Sequence, residues 1–237
     1  MNKEKLIAYS LFYDGEYFAI LKAIQNNIEV PNIIVENAIT IFDDIYPKRL
    51  LDLKYPPFVL YYKGNLDLLK QENISIVGSR NACGYALKAT KMLVDAHKDK
   101  VIISGLALGI DRQAHVCASK SIGILGCGID YIYPYKNLDI YQTLHNNGLL
   151  LSEYPLMVKP LAYHFPFRNR IIASLTETVY IMQSNANSGT MTTVNEALEL
   201  GRNIKVLPYD IFNEYGINNN RLIYEGAEPI VIDNIAI

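Results

Sequence analysis

A chain of 237 residues, half of them apolar and 19% charged, has room for one large α/β domain with a small appendage and a sizeable core. Its formal charge of −2 and pI near 6.1 exclude a global positive field, so any polyanion must be held by a local basic patch. Cys83, Cys117 and Cys127 form neither a CxxC pair nor a zinc-ligand spacing, which points to buried thiols in a reducing compartment. The brief apolar stretch after Met1–Lys5 is broken by Asp14, Glu16 and Lys22, and no later apolar run is long enough for a bilayer. The expectation is a soluble, cytoplasmic protein with no membrane partner.

Residues 1–42 show helical spacing at Leu6, Tyr9 and Phe12 and again at Ile20, Ile24 and Ile28, which predicts two or three short helices in a small N-terminal region. Residues 43–237 then form the main domain. Tyr46-Pro47 and Tyr55-Pro56-Pro57 mark a connection into a strand at Phe58–Tyr62. From Ile74 the alternation is regular. Strands are expected at Ile74–Val77, Val101–Ser104, Ile122–Leu125, Leu149–Ser152, Val179–Met182 and Ile204–Leu207. Helices are expected at about Gly84–His97, from Asp111 to Ala118, around Arg170–Ser174 and from Ser188 to Leu200. Short apolar strands alternating with helices mean right-handed βαβ units, a mainly parallel sheet and helices on both faces.

Several strands stop at a glycine turn that opens a helix, the arrangement that aims backbone N–H groups at an anion. Gly78-Ser79-Arg80 is one such turn, with Arg80 as a bidentate phosphate partner. Alone it equally fits an ordinary βα turn. Neither Gly-x-Gly-x-x-Gly nor a Walker A sequence is present. Ser104-Gly105 leads through Gly109 to Asp111, read as a helix N-cap, with His115 on the same helix face. That pair fits acid–base chemistry, but a cap beside a buried, hydrogen-bonded histidine is the reading favoured here. Phe165, Arg168, Asn169 and Arg170 lie together just before a helix and offer base stacking with phosphate pairing. Lys159 and Arg202 would extend that patch. Ser184–Thr193 is a polar, small-residue turn, in which Ser188, Gly189, Thr190 and Thr193 suit a phosphate or sugar at a helix start.

Taken in order, these pieces resemble the DNA processing protein A (DprA) family. They include Ile76-Val77-Gly78-Ser79-Arg80 and Ser104-Gly105-x-Ala107-x-Gly109-Ile110-Asp111-x-x-Ala114-His115. Gly126-x-Gly128, Leu151-Ser152-Glu153-Tyr154, Phe165-Pro166-x-Arg168-Asn169-Arg170 and Ser188-Gly189-Thr190-Met191-x-Thr193 follow. The resemblance implies an extended Rossmann-like fold that binds single-stranded DNA without turnover or cofactor. It also implies a homodimer that helps load RecA recombinase onto strands in natural transformation and recombination. Carried over, the DNA rim comprises Gly78, Ser79, Arg80, Ser104, Gly105, Gly109, Phe165, Arg168, Asn169, Arg170, Ser188, Gly189, Thr190 and Thr193. Asn185-Ala186-Asn187 departs from the segment many relatives carry there, and the C-terminal winged helix of many relatives is not expected.

Two other readings stay open at this point. One is a phosphoribohydrolase-type enzyme on a related fold, like the cytokinin-activating LOG proteins. Their Pro-Gly-Gly-x-Gly-Thr-x-x-Glu loop is matched here only by Asn187–Thr193, which lacks the Glu. The other is a nucleotide sensor on the same fold. The DNA-binding reading requires Arg80, Arg168 and Arg170 to converge on one concave ledge.

Overall fold

The computed structural model describes residues 1–31, 33, 35–186 and 188–231. Asn187 of the expected polar turn and residues 232–237 at the end of the expected main domain lie outside the described residues.

The N-terminal region folds as α1 (Lys3–Phe12) and α2 (Tyr17–Gln25), followed by β1 (Ala38–Thr40) and β2 (Val59–Gly64). The alternating part comprises β3 (Asn73–Gly78), α3 (Gly84–Ala96), β4 (Val101–Gly105), α4 (Ile110–Cys117), β5 (Ser121–Leu125), α5 (Leu138–Asn147) and β6 (Leu149–Ser152). It continues with α6 (His164–Ser174), β7 (Thr178–Gln183), α7 (Thr190–Glu199), β8 (Asn203–Val206), α8 (Ile217–Tyr224) and β9 (Glu228–Pro229). All strands join one sheet in the order β1-β2-β6-β5-β4-β3-β7-β8-β9. β2 runs antiparallel to both β1 and β6, and every other neighbouring pair is parallel.

Every residue of β4 and β5 is buried, as expected for parallel strands covered on both faces. Side chains alternate between the faces. Val77, Ile103, Val179 and Ile181 meet Ile171 and Ile172 of α6 and Val194 and Ala197 of α7. Ile76, Ile102 and Met182 meet Leu93 and Val94 of α3 and Ile110 and Ala114 of α4. Leu6 and Ile7 of α1 pack with Tyr141 and Leu144 of α5 over Tyr61 and Leu150.

Three features differ from the sequence reading. Ala38–Thr40, inside the region expected to be helical, pairs with β2 and is an edge strand. Leu138–Asn147, where no helix is expected, forms α5. Its first turn carries Asp139, gripped by both terminal nitrogens of Arg112 at 2.8 and 2.6 Å. This ion pair supplies the anion that Arg112, in the first turn of α4, needs near a helix N-terminus. Asp111 is not the N-cap of α4. Gly109 holds that position, and Asp111 lies inside the helix with its carboxylate turned back toward the β4 turn.

The order of the strands fixes where a ligand can bind. From β3 the chain moves outward through β4, β5 and β6, then returns to the other side of β3 as β7. The turns after β3 and β7 therefore diverge, leaving a crevice at the carboxyl ends of the strands.

His115 ties the ends of β4 and β5 together. Its Nε2–H donates to the Gly105 carbonyl at 2.6 Å, and Nδ1 accepts from the Ser121 hydroxyl. The residue is 4% exposed, so it is a buried structural histidine. Burial pushes its imidazole from the ordinary 6.5 down to about 4. The unfolded chain takes up a proton near pH 6.5 and the folded chain resists until lower pH. This contribution is complete above pH 6.5 and is lost as pH falls toward 4, a loss on the order of 3 kcal/mol. Urea unfolding at neutral and mildly acidic pH should show a larger loss of stability in the natural chain than in His115→Gln. Equal losses would remove His115 from the pH dependence.

Candidate nucleic-acid interface

The crevice between the β3 and β7 turns opens into a cavity of roughly 720 Å3. Its lining comes from several places in the chain, Tyr133 after β5 and Pro160 and Ala162 before α6 among them. Gly78 ends β3 and leads into Ser79, Arg80 and Asn81, while Ala107 and Asp111 follow β4. Phe165, Arg168 and Asn169 come from α6, and Asn185, Ser188, Gly189, Thr190, Thr192 and Thr193 from the end of β7 and the start of α7.

The β3 turn is fixed by its neighbours. Ser79 N–H donates to the Gln183 carbonyl at 2.9 Å, and Ile110 N–H donates to the Ser79 carbonyl at 3.2 Å. The fully buried Gln183 side chain accepts from Cys83 N–H at 2.8 Å and donates to the Asn81 carbonyl at 3.1 Å. Arg80 is left exposed, with its guanidinium 5.4 Å from the centre of the Phe165 ring. Across the crevice, α7 starts at Gly189 without a side-chain cap. Ser188 Oγ accepts from Thr190 N–H at 3.2 Å, and Asn169 donates from α6 to Thr192 Oγ1 at 2.8 Å. The N–H groups of Thr190, Met191 and Thr192 are taken by Ser188 Oγ, the Ser188 carbonyl and the Gly189 carbonyl, so this helix start offers phosphate oxygens its positive dipole end, opposite the exposed guanidinium.

Two buried, oppositely charged side chains, Asp111 and Arg168, form the floor. A Cβ on Gly105 would stand 2.5 Å from Arg168 Nη1 and 2.5 Å from Asp111 Oδ2, so only glycine lets the two groups close over the end of β4. Burial pushes the Asp111 carboxyl up while Arg168 draws it back, and burial pushes Arg168 down while Asp111 supports its charge. Arg168 donates to the Ile124 carbonyl, but its buried Nε has no partner. Phe165 is half-buried, tilted against Tyr133 with ring centres 5.6 Å apart.

Not every residue of the expected rim faces this cavity. Arg80 and Arg168 line it, but Arg170 turns to the opposite face of α6. There it is 2% exposed and holds Glu153 with two hydrogen bonds of 2.7 and 2.8 Å. It also donates to the Tyr55 and Phe167 carbonyls, with its guanidinium 3.7 Å over the Phe167 ring. Positions 168 and 170 are about 200° apart around an α-helix, so the required convergence of three arginines is not met: Arg80 and Arg168 share the ledge, and Arg170 is excluded from it by its pairing with Glu153. Ser104 is buried and donates to the Ile76 carbonyl at 2.6 Å, and Gly105 and Gly109 shape the turn without lining the cavity. Lys159 borders a different hollow, and Arg202 pairs with Asp52 at 3.3 Å.

Three supporting residues escaped the sequence reading as parts of the site. Gln183 holds the β3 turn. Asn219 accepts from Ser184 N–H at 2.7 Å and donates to the Leu207 carbonyl at 2.9 Å, while Asn218 donates to the Asn185 carbonyl at 2.5 Å. Three consecutive asparagines in α8 were the available signal, since asparagine is a poor helix former and suits backbone bonding. Among the described residues no cluster of His, Cys, Asp and Glu fits a metal ion. None of their helices is long and apolar enough to cross a membrane.

A doubly wound sheet with a ligand crevice at the divergence of its β3 and β7 turns places the chain among the Rossmann-like α/β proteins. Within that class it belongs to the family of DNA recombination-mediator protein A, whose model matches residues 37–236. It is 38% identical to DNA processing protein DprA of Streptococcus pneumoniae over 196 residues, covering 81% of this chain and 70% of that protein. The Bacillus subtilis protein of the same name is 39% identical over 201 residues, covering 82% and 68%. Among solved structures, DprA from S. pneumoniae superposes with a TM-score of 0.82 at 33% identity, covering 95% of this chain and 88% of that one. DNA processing protein A from Helicobacter pylori, described for its single-stranded DNA binding mode, gives a TM-score of 0.76 at 33% identity, covering 83% and 93%.

The two arginines of α6 should separate in experiment. Arg170→Ala leaves Glu153 buried without its counter-charge and should lower unfolding stability by about 3–5 kcal/mol. Arg170→Ala with unchanged denaturant stability would contradict the buried pairing.

Proposed function

We propose that this chain binds single-stranded DNA in the crevice above β3 and β7, holding phosphates and stacking a base without reading sequence. The observation that carries this reading is the meeting of Arg80, the Phe165 ring and the start of α7 on one cavity. Guanidinium groups and helix starts hold phosphate oxygens, and an aromatic face accepts any base. The solved H. pylori relative, described for single-stranded DNA binding, supports the same assignment.

The chain acts on this reading as a recombination mediator, without catalytic turnover, that protects incoming strands and passes them to RecA recombinase. It works as a homodimer in the cytoplasm. Ile211, Phe212 and Tyr224 are exposed by 86, 87 and 92%, and apolar exposure of this kind supports self-association.

Affinity in this mode is set by ion release and stacking, so the two contributions can be measured apart. In titrations of fluorescent oligothymidylate, Arg80→Ala should bind about tenfold more weakly at moderate salt, with the slope of log K against log salt reduced by about one. An unchanged slope would take Arg80 off the phosphate track. Phe165→Ala should cost about 1–3 kcal/mol of binding with little change in melting temperature. A fall in melting temperature with undiminished affinity would make Phe165 a packing residue only.

A further inference from the structure

Helix α6 has two faces with different duties. Phe165, Arg168 and Asn169 line the cavity, while Tyr163, His164 and Phe167 are held by residues 16–18 at the start of α2. One carboxylate oxygen of Glu16 accepts from the Tyr163 hydroxyl at 2.7 Å and from His164 Nε2–H at 2.9 Å. His164 has no exposed surface and stacks on Tyr154 with ring centres 3.8 Å apart. Tyr17 and Phe18 place their rings 6.1 and 6.2 Å from Phe167, with Tyr55 completing the cluster. Gly15, at φ +76°, lets this turn lie on β6, since a Cβ there would stand 2.6 Å from the Glu153 carbonyl oxygen.

The start of α6 needs such support. No side chain caps it, and Pro166 supplies no N–H. At its N-terminal turn Phe167 N–H donates to the Tyr163 carbonyl at 3.3 Å. A carboxylate bound across Tyr163 and His164 also favours a helix N-terminus electrostatically. Glu16 lies outside residues 37–236, the part that matches the family model.

We propose that the α1–α2 region is a brace for the DNA-facing helix, with Glu16 a positioning residue that sets the angle at which Phe165 meets a base. The binding part of this proposal rests on the single-stranded DNA reading above. The brace itself does not.

The test compares the full chain with Glu16→Ala, Glu16→Asp and Phe165→Ala in two measurements. Hydrogen exchange reads the brace directly. In Glu16→Ala the amides of Phe167 and Arg168 should exchange about tenfold faster, while those of β4 keep their natural rate. Unchanged exchange at α6, or equal acceleration in β4, would overturn the brace. Affinity then reads its consequence. Against oligothymidylate, Glu16→Ala should bind about fivefold more weakly, yet change by less than about twofold on an abasic strand of equal length. Glu16→Asp should recover most of the loss, and adding Glu16→Ala to Phe165→Ala should cost nothing further. Equal losses on both strands, or additive losses in the double variant, would overturn the positioning role. If the natural chain binds neither strand, the DNA reading fails while the exchange result still decides the brace.

Discussion

A guanidinium and a carboxylate closing over a glycine at the end of β4 is the arrangement on which the crevice depends. Arg168 comes from α6 on one face of the sheet and Asp111 from α4 on the other. Their meeting point at Gly105 therefore pins both helix layers to the carboxyl end of a central strand. Each group is buried, and each would be costly alone. Together they leave the Arg168 Nε without a protein partner on a residue that lines the cavity. The geometry therefore puts a partly satisfied cation on the same cavity as the Phe165 ring and the start of α7.

Around that pair the supports are mostly hydrogen bonds from buried amide side chains. Gln183 fixes the turn that carries Arg80, while Asn218 and Asn219 fix the turn that leads to α7. His115 joins β4 to β5 directly behind Gly105. The two walls of the crevice are thus built independently and share only the sheet and α6. A helix that serves both walls has to be held from its far side. That duty falls to Glu153 with Arg170 and to the N-terminal helices.

The sheet was largely legible in the sequence because its strands are short β-branched runs that stop at Gly, Ser or Pro. Ile74–Val77 and Val101–Ser104 are such cases, and the observed strands differ from them by a residue or so. Helix α5 was hidden because Leu138–Asn147 mixes its apolar positions with Asp, Gln, His and Asn and follows a proline-marked turn. Arg80, Phe165 and Arg168 were legible as residue types suited to a polyanion next to turns. Arg170 was not, because its orientation follows from helical geometry and from Glu153, a partner 17 residues away. The N-cap was misplaced by two residues: a carboxylate near a helix start reads as a cap, but Gly109 already ends the turn, and the charge on Arg168 draws the Asp111 carboxylate inward. Gln183, Asn218 and Asn219 carry no signal for a ligand, since they touch the backbone that touches it.

The central claim, that one strand of DNA lies in the crevice above β3 and β7, is tested most directly by a crystal structure with a short oligothymidylate. Phosphate oxygens should lie within hydrogen-bond reach of Arg80 and of the start of α7, with a base against Phe165 and Arg170 still bound to Glu153. A strand lying along the amino ends of the sheet, near Asn73 and Lys100, with the crevice empty, would contradict it.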